Sequence, residues 1–223
     1  MAVELEFLKR IPYFAGLTEA ELESIRKLIV EKTADRGDVL ILEGDMAKAL
    51  HFVVSGALKV FKTSADGKEQ ILNILRPVDS FNDVPVFDNA PSPVSVQALG
   101  HVALCELGRG DLEAILGKYP QIARNVINVL AGRVRHLVSL VEDLSFRHVI
   151  GRVAKILLES AGNGGGAGAR LTQQDMAAMA GTAREVVGRS LKALEDGGII
   201  RLDRHRIVIR NKEALKNMIG VSV

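Results

Sequence analysis

Arg184, Glu185 and Arg189 fall within six residues of one another in the run AREVVGRSLKALEDGGII. A guanidinium can fork two donors onto guanine O6 and N7, and a carboxylate can accept from cytosine N4. Placed near the start of one helix, such groups could read base edges in a major groove. Thr172, Gln173, Thr182, Lys192, Arg204 and Arg206 stand nearby in the chain. Their hydroxyl, amide and cationic groups suit phosphate oxygens, contacts that position a helix without reading sequence. Plainer roles exist for the same residues: Glu185 as the capping partner of Thr182, and the arginines as a solvated charged face.

A second chemistry is axial ligation of haem, for which His51, His101, Cys105 and His136 are the available side chains. His101 and Cys105 stand two strand repeats apart and are expected to share a face. No paired carboxylates, nucleophile–base arrangement or metal-ligand spacing stands out, so neither catalysis nor a metal site is expected.

The elements that must position the base-reading groups follow from local signals. Thr172 with Asp175 three residues later caps a first helix, with Met176, Met179 and small alanines on its inner face. Gly181 supplies a turn. Thr182 with Glu185 is expected to cap a second helix that runs to Asp196 and ends at Gly197 and Gly198. Two short helices joined by a glycine-containing turn form a helix-turn-helix. IIRL and RIVIR then flank Asp203, Arg204 and His205 as a hairpin wing.

Upstream, Ile127, Leu130, Val134, Leu137, Val141 and Leu144 are spaced by three and four residues alternately. That heptad seam predicts a helix over about 119–144 that pairs with a second copy of itself, the alternative being packing on its own β domain. Between residues 38 and 107 lie short strand-like runs broken by glycines: VLILEG, LHFVVSGALKVFKT, EQILNIL, SVQAL and HVALCEL. They predict a small β-barrel or roll large enough for one small cavity, with a hairpin turn at Ala65, Asp66 and Gly67 and tight corners at Gly44 and Gly56. Thr18 and Glu21 open an amphipathic helix bearing Leu17, Leu22, Ile25, Leu28 and Ile29. A further helix is expected over about 148–161. The glycine tract 162–168 reads as a loop; it lacks the Gly-Lys-Ser/Thr ending of a phosphate loop.

Composition narrows the classes. The 223 residues are 48% hydrophobic and 25% charged, ordinary for a globular chain. No run of about 18 apolar residues exists, so no membrane span is expected. The start lacks a signal-peptide core, which points to the cytoplasm. One cysteine excludes an internal disulfide. The net charge of +2 hides a split: residues 1–118 carry 13 Lys and Arg against 18 Asp and Glu, and residues 119–223 carry 16 against 9. The basic half is the one suited to a polyanion.

Taken in order along the chain, the pattern resembles the bacterial cyclic-AMP receptor/fumarate–nitrate regulator (CRP/FNR) family. AREVVGRSLKALEDGGII is similar to its recognition-helix block, and Leu42-Glu43-Gly44-Asp45 and Val54-Ser55-Gly56 to its β-roll turns. The resemblance spans nearly the whole chain. It implies an α+β fold: a double-stranded β-helix of the cyclic-nucleotide-binding type over 1–118, a dimerisation helix over 119–145, and a winged helix-turn-helix over 146–223. It implies a homodimer that binds double-stranded DNA at a pseudo-palindromic site, contacts RNA polymerase and responds to a small-molecule effector. In the family, residues matching Arg184, Glu185 and Arg189 read a GTGA-like half-site. The chain departs at Ala183, where a phosphate-binding serine is common, and at Ser190, where an apolar residue is usual.

The resemblance also places an effector pocket. Cyclic-nucleotide binders in the family carry a cassette reading roughly Phe-Gly-Glu-Leu, followed by an arginine and a serine or threonine. The matching residues here are Phe81, Asn82, Asp83 and Val84, then Pro93 and Val94, with Leu137 and Val138 where a Thr-Ser pair contacts the base. Asn82 restricts close backbone approach, and Pro93 has neither charge nor N–H. Cyclic AMP is therefore not the expected effector. An iron–sulfur sensor would need cysteines near the start, where there are none. Haem remains an alternative, and otherwise the effector is unknown.

Overall fold

The computed structural model describes residues 3–162, 171–203 and 206–219, so the glycine tract 163–168 and the wing residues Arg204 and His205 lie outside the described residues. Two compact units divide the chain: residues 1–62 with 73–136, and residues 63–72 with 137–223. The long helix is shared between them.

The chain begins with α1 (Leu5–Arg10), a 3-10 turn (Pro12–Phe14) and α2 (Glu19–Arg26), and continues with β1 (Ile29–Ala34), β2 (Val39–Ile41), β3 (Ala49–Ser55), β4 (Leu58–Thr63), β5 (Glu69–Leu75) and β6 (Ser80–Phe81). Then come α3 (Asp83–Asp88), β7 (Ser95–Ala98), β8 (Val102–Gly108), α4 (Arg109–Lys118) and α5 (Pro120–Phe146). Two four-stranded antiparallel sheets form the roll, in the orders β1-β8-β3-β6 and β2-β7-β4-β5. Val53, Leu58, Phe81, Val96, Val102 and Leu104 fill the space between them. The alternate residues Leu50, Phe52, Cys105 and Leu107 of β3 and β8 face a second core with Leu8, Tyr13, Leu22, Leu112 and Ile122. A strand buried on both faces reads as a continuous apolar run, as LHFVV does.

Thr18 and Glu21 form the expected capping box. The helix stops at Arg26, and Ile29, expected on its stripe, instead opens β1. That strand pairs with β8 at the end of its sheet, and its interior residues are exposed, so IVEKTA carries no apolar alternation that would reveal it.

The second unit contains α6 (Val149–Gly162), α7 (Gln173–Ala180), α8 (Arg184–Asp196), the β9 (Ile200–Asp203) and β10 (Arg206–Ile209) hairpin, and α9 (Lys212–Ile219). Val153, Leu157, Met176, Val187, Leu191, Leu194 and Leu215 form its core. Among the described residues no helix is long and apolar enough to cross a membrane.

One glycine of the roll is irreplaceable. Gly56 has φ +86°, and a Cβ there would lie 2.5 Å from His101 O and 2.6 Å from Val102 Cγ1. Gly56→Ala should lower unfolding free energy by about 2 kcal/mol or more, combining left-handed strain with a backbone clash, as read by urea denaturation.

Inside the roll, His51 stacks on Phe81 at 4.7 Å between ring centroids and donates from Nε2 to Glu106 at 3.1 Å. Lys32 also pairs with Glu106. Burial depresses the His51 pKa, and the nearby Glu106 charge only partly offsets it. The folded state therefore holds the neutral ring, and its contribution is fully present above pH 6.5. Below that the unfolded chain takes up the proton first, and stability falls until the folded ring titrates. Stability should drop more between pH 7 and pH 5 in the wild type than in His51→Gln; equal drops would show that another group is responsible.

Candidate functional site

The helix-turn-helix is built from local contacts. Thr172 Oγ1 accepts from Asp175 N at 3.1 Å, while Asp175 Oδ2 accepts from Thr172 N at 2.8 Å. Gly181 ends α7 at φ +60°, and a Cβ there would lie 2.7 Å from Leu144 Cδ2. The expected second capping box does not form. Thr182 N–H instead donates to Ala177 O at 3.0 Å, which holds Thr182 in the turn, and α8 starts at Arg184 behind Ala183 with no side-chain cap. Glu185 is thus released from the capping role.

Helix α8 divides cleanly. Val187, Ser190, Leu191 and Leu194 are buried, while Arg184, Glu185, Arg189 and Lys192 are exposed on the other side. Ser190, the departure from the apolar pattern, lies on the buried face. Neither arginine nor Glu185 is tied to another described side chain. Lys192 is held 3.4 Å from Glu195 and 3.0 Å from Asp196, surface pairs of little energetic weight that leave it free to exchange partners. Thr172 and Gln173 are exposed at the start of α7. Arg204 lies outside the described residues, as does the side chain of Arg206.

The expected effector-pocket residues differ in exposure. Phe81 is buried in the roll interior and Asp83 is 1% exposed, whereas Val84, Pro93, Leu137 and Val138 are exposed. Val94 is half-buried. Asn82 takes φ +67° and donates from Nδ2 to Ala49 O at 2.8 Å. The cation missing from Pro93 has a counterpart that local sequence did not reveal. Arg133, on α5, pairs with the Asp83 carboxylate and donates to Ser80 O at 2.6 Å and Ser80 Oγ at 2.7 Å. Tyr13 OH donates to the other Asp83 oxygen. Burial and the Asp83 charge push the Tyr13 phenol well above its ordinary value, so it stays a donor.

Beside this network lies a cavity of about 190 Å³ lined by Tyr13, Asn73, Asp79, Ser80, Arg133 and His136, with Gly132 and apolar neighbours completing the wall. None of the eight expected pocket residues lines it. Burial raises the Asp79 pKa, against a backbone donor from Arg76 and the Arg133 charge.

The donors at this corner are engaged within the chain: Asn82 Nδ2 by the Ala49 carbonyl and Arg133 by Asp83 and Ser80. Of the haem candidates, His101 and Cys105 differ in setting. His101 precedes β8, is exposed and pairs with Asp35 at 2.8 Å, so it does not share a face with Cys105. Cys105 is fully buried and its thiol is pushed up to about 12. Among the described residues no cluster of three or more His, Cys, Asp or Glu could hold a metal ion.

On α5, Ile127, Val134, Leu137 and Val141 of the heptad are exposed, as is Val138. Leu130 is half-buried against the first unit's core, and Leu144 packs beside Gly181.

Comparison with known proteins gives this geometry a family. Residues 31–119 match the cyclic nucleotide-binding domain and residues 151–218 the Crp-like helix-turn-helix domain. The chain is 31% identical over 217 residues to the CRP-like cAMP-activated global transcriptional regulator of Mycobacterium tuberculosis, covering 94% of this chain and 97% of that one. It is 30% identical over 211 residues to the cyclic AMP receptor protein of Thermus thermophilus, covering 95% and 98%. Among solved structures, FixK2 from Bradyrhizobium japonicum superposes with a TM-score of 0.77 at 27% identity, covering 87% of this chain and 99% of that one. With both domains matched in order and near-complete coverage of its relatives, the chain belongs to the CRP/FNR family of transcription regulators and carries that family's helix-turn-helix DNA-binding domain.

Proposed function

We propose that the protein is a cytoplasmic homodimer that binds a pseudo-palindromic DNA site with GTGA-like half-sites and contacts RNA polymerase. The observation that carries the DNA reading is the outward face of α8, where Arg184, Glu185 and Arg189 stand exposed opposite a buried face of Val187, Ser190, Leu191 and Leu194. Arg184 and Arg189 read guanine edges and Glu185 a cytosine amine, while Thr172, Gln173, Thr182, Lys192, Arg204 and Arg206 hold phosphates. The exposed apolar row Ile127, Val134, Leu137, Val138 and Val141 supports pairing of α5 with its copy.

The effector reading rests on the 190 Å³ cavity rather than on the cyclic-nucleotide cassette. The cavity offers a site for a small molecule beside α5. Asp79 and Asp83 face Arg133 and Arg76, so the charges around the cavity offset one another, which favours a neutral molecule over an anion. Arg133 gives the cavity a direct link to α5, and occupancy shifts the population of α5 arrangements.

Selection of bound DNA from a random pool tests the DNA reading. The wild type should select two GTGA-like half-sites; Arg189→Ala should cost about 1–3 kcal/mol and relax preference at one base of each. Unchanged base preference in that variant would refute the assignment. Run with the small-molecule fraction of a cell extract, the wild type should show effector dependence, and Gly132→Leu, which fills the cavity from α5, should abolish it. Titration calorimetry with cyclic AMP should give no saturable heat; micromolar binding would show that the cassette accepts the nucleotide.

A further inference from the structure

The geometry points to Asp143 as a positioning residue that sets the spacing between the two DNA half-sites, an inference that rests on the dimeric DNA-binding reading above. Asp143 lies on the last turns of α5 and is 7% exposed. A carboxylate this deep is tolerated only with cations at hand, and two converge on it. Lys155, from α6, pairs with Oδ2 and also reaches Ser139 Oγ at 3.3 Å. Arg147 Nε lies 2.7 Å from Oδ1, close enough for charge but off the axis of an aligned hydrogen bond.

Arg147 and its neighbour Arg152 continue into the DNA-binding elements. Arg147 donates from Nη1 to Ile219 O at the end of α9, at 2.8 Å. Arg152 donates to Arg147 O and, from Nε at 2.8 Å, to Ala180 O, the last residue of α7 before the turn. Cations at helix C-termini also complement the helix dipole. Gly151 completes the junction, because a Cβ there would lie 2.9 Å from Met218 O and force α9 away. Helix α6 in turn shares a core with α8 through Val153, Leu157, Val187 and Leu191.

One short segment of α5 therefore has two duties. Its exposed Leu137, Val138 and Val141 meet the second copy, while Asp143 locks the same turns to α6 and so to α8. The angle between seam and recognition helix is fixed by this charged junction. That angle decides how far apart two recognition helices stand, and one base pair of spacing is a shift of about 3.4 Å.

The test is a library of two half-sites separated by variable spacers, presented to the full-length protein. The wild type should prefer one spacing. Asp143→Asn, equal in shape and lacking the charge, should lose at least tenfold of its discrimination against spacers one base pair longer or shorter while selecting the same half-site letters. Lys155→Gln should behave alike and serves if Asp143→Asn does not fold; Asp143→Glu should recover part of the discrimination. General destabilisation would lower affinity for all spacers together, leaving their ratio unmoved. Folded, dimeric variants that keep the wild-type spacing ratio within twofold would overturn the proposal. A wild type that selects lone half-sites would overturn the dimeric reading first, and this inference with it.

Discussion

A buried carboxylate must find a cation, and α5 answers that requirement at two levels. Near its middle it supplies the cation, Arg133, to Asp83; near its end it supplies the acid, Asp143, to Lys155 and Arg147. Breaking a buried pair by deleting one partner costs about 3–5 kcal/mol, far more than an exposed pair is worth. Such contacts are poor ornaments but effective constraints, since each tolerates only a narrow range of geometry. In the first unit the constraint falls between α5 and the β6–α3 corner. In the second it falls between α5 and the elements around the helix-turn-helix. The helix that exposes the apolar row Ile127, Val134, Leu137, Val138 and Val141 thus carries, on its other sides, the groups each unit uses to hold it.

The charge pattern at the cassette position follows the same requirement. The cassette position of this chain keeps an acid, Asp83, and loses the neighbouring arginine at Pro93. The acid is then satisfied from within, by Arg133 and Tyr13, and Asn82 closes the corner by bonding to Ala49 O. A site whose charges already balance has little to offer a phosphate. Two relatives at about 30% identity are named for cyclic AMP, one as activated by it and one as its receptor. The scaffold is shared with them, and the charge pattern of the cassette is where a difference in ligand would arise.

How much of this was legible in the sequence depended on the range of the interaction. Capping boxes act over three residues, so Thr18 with Glu21 and Thr172 with Asp175 were readable. The same pattern at Thr182 and Glu185 misled, because the left-handed Gly181 hands the Thr182 N–H to Ala177 O before a cap can form. The heptad seam was readable as a helix, although Leu130 and Leu144 turned out to pack against their own chain. Arg133 was not readable: its partner Asp83 is 50 residues away, and a lone arginine on a long helix looks like a solvated one. Strand β1 escaped because its exposed residues leave no alternation to detect.

Cys105 has a practical meaning. It is the chain's one cysteine, fully buried in β8, with a thiol pushed up to about 12. At neutral pH the thiol stays protonated, and solvent does not reach it. The native chain therefore behaves toward alkylating reagents almost as a cysteine-free protein. A cysteine introduced at an exposed position can be labelled alone, so spin or fluorescent probes can follow the motions of α5 without altering the wild-type background.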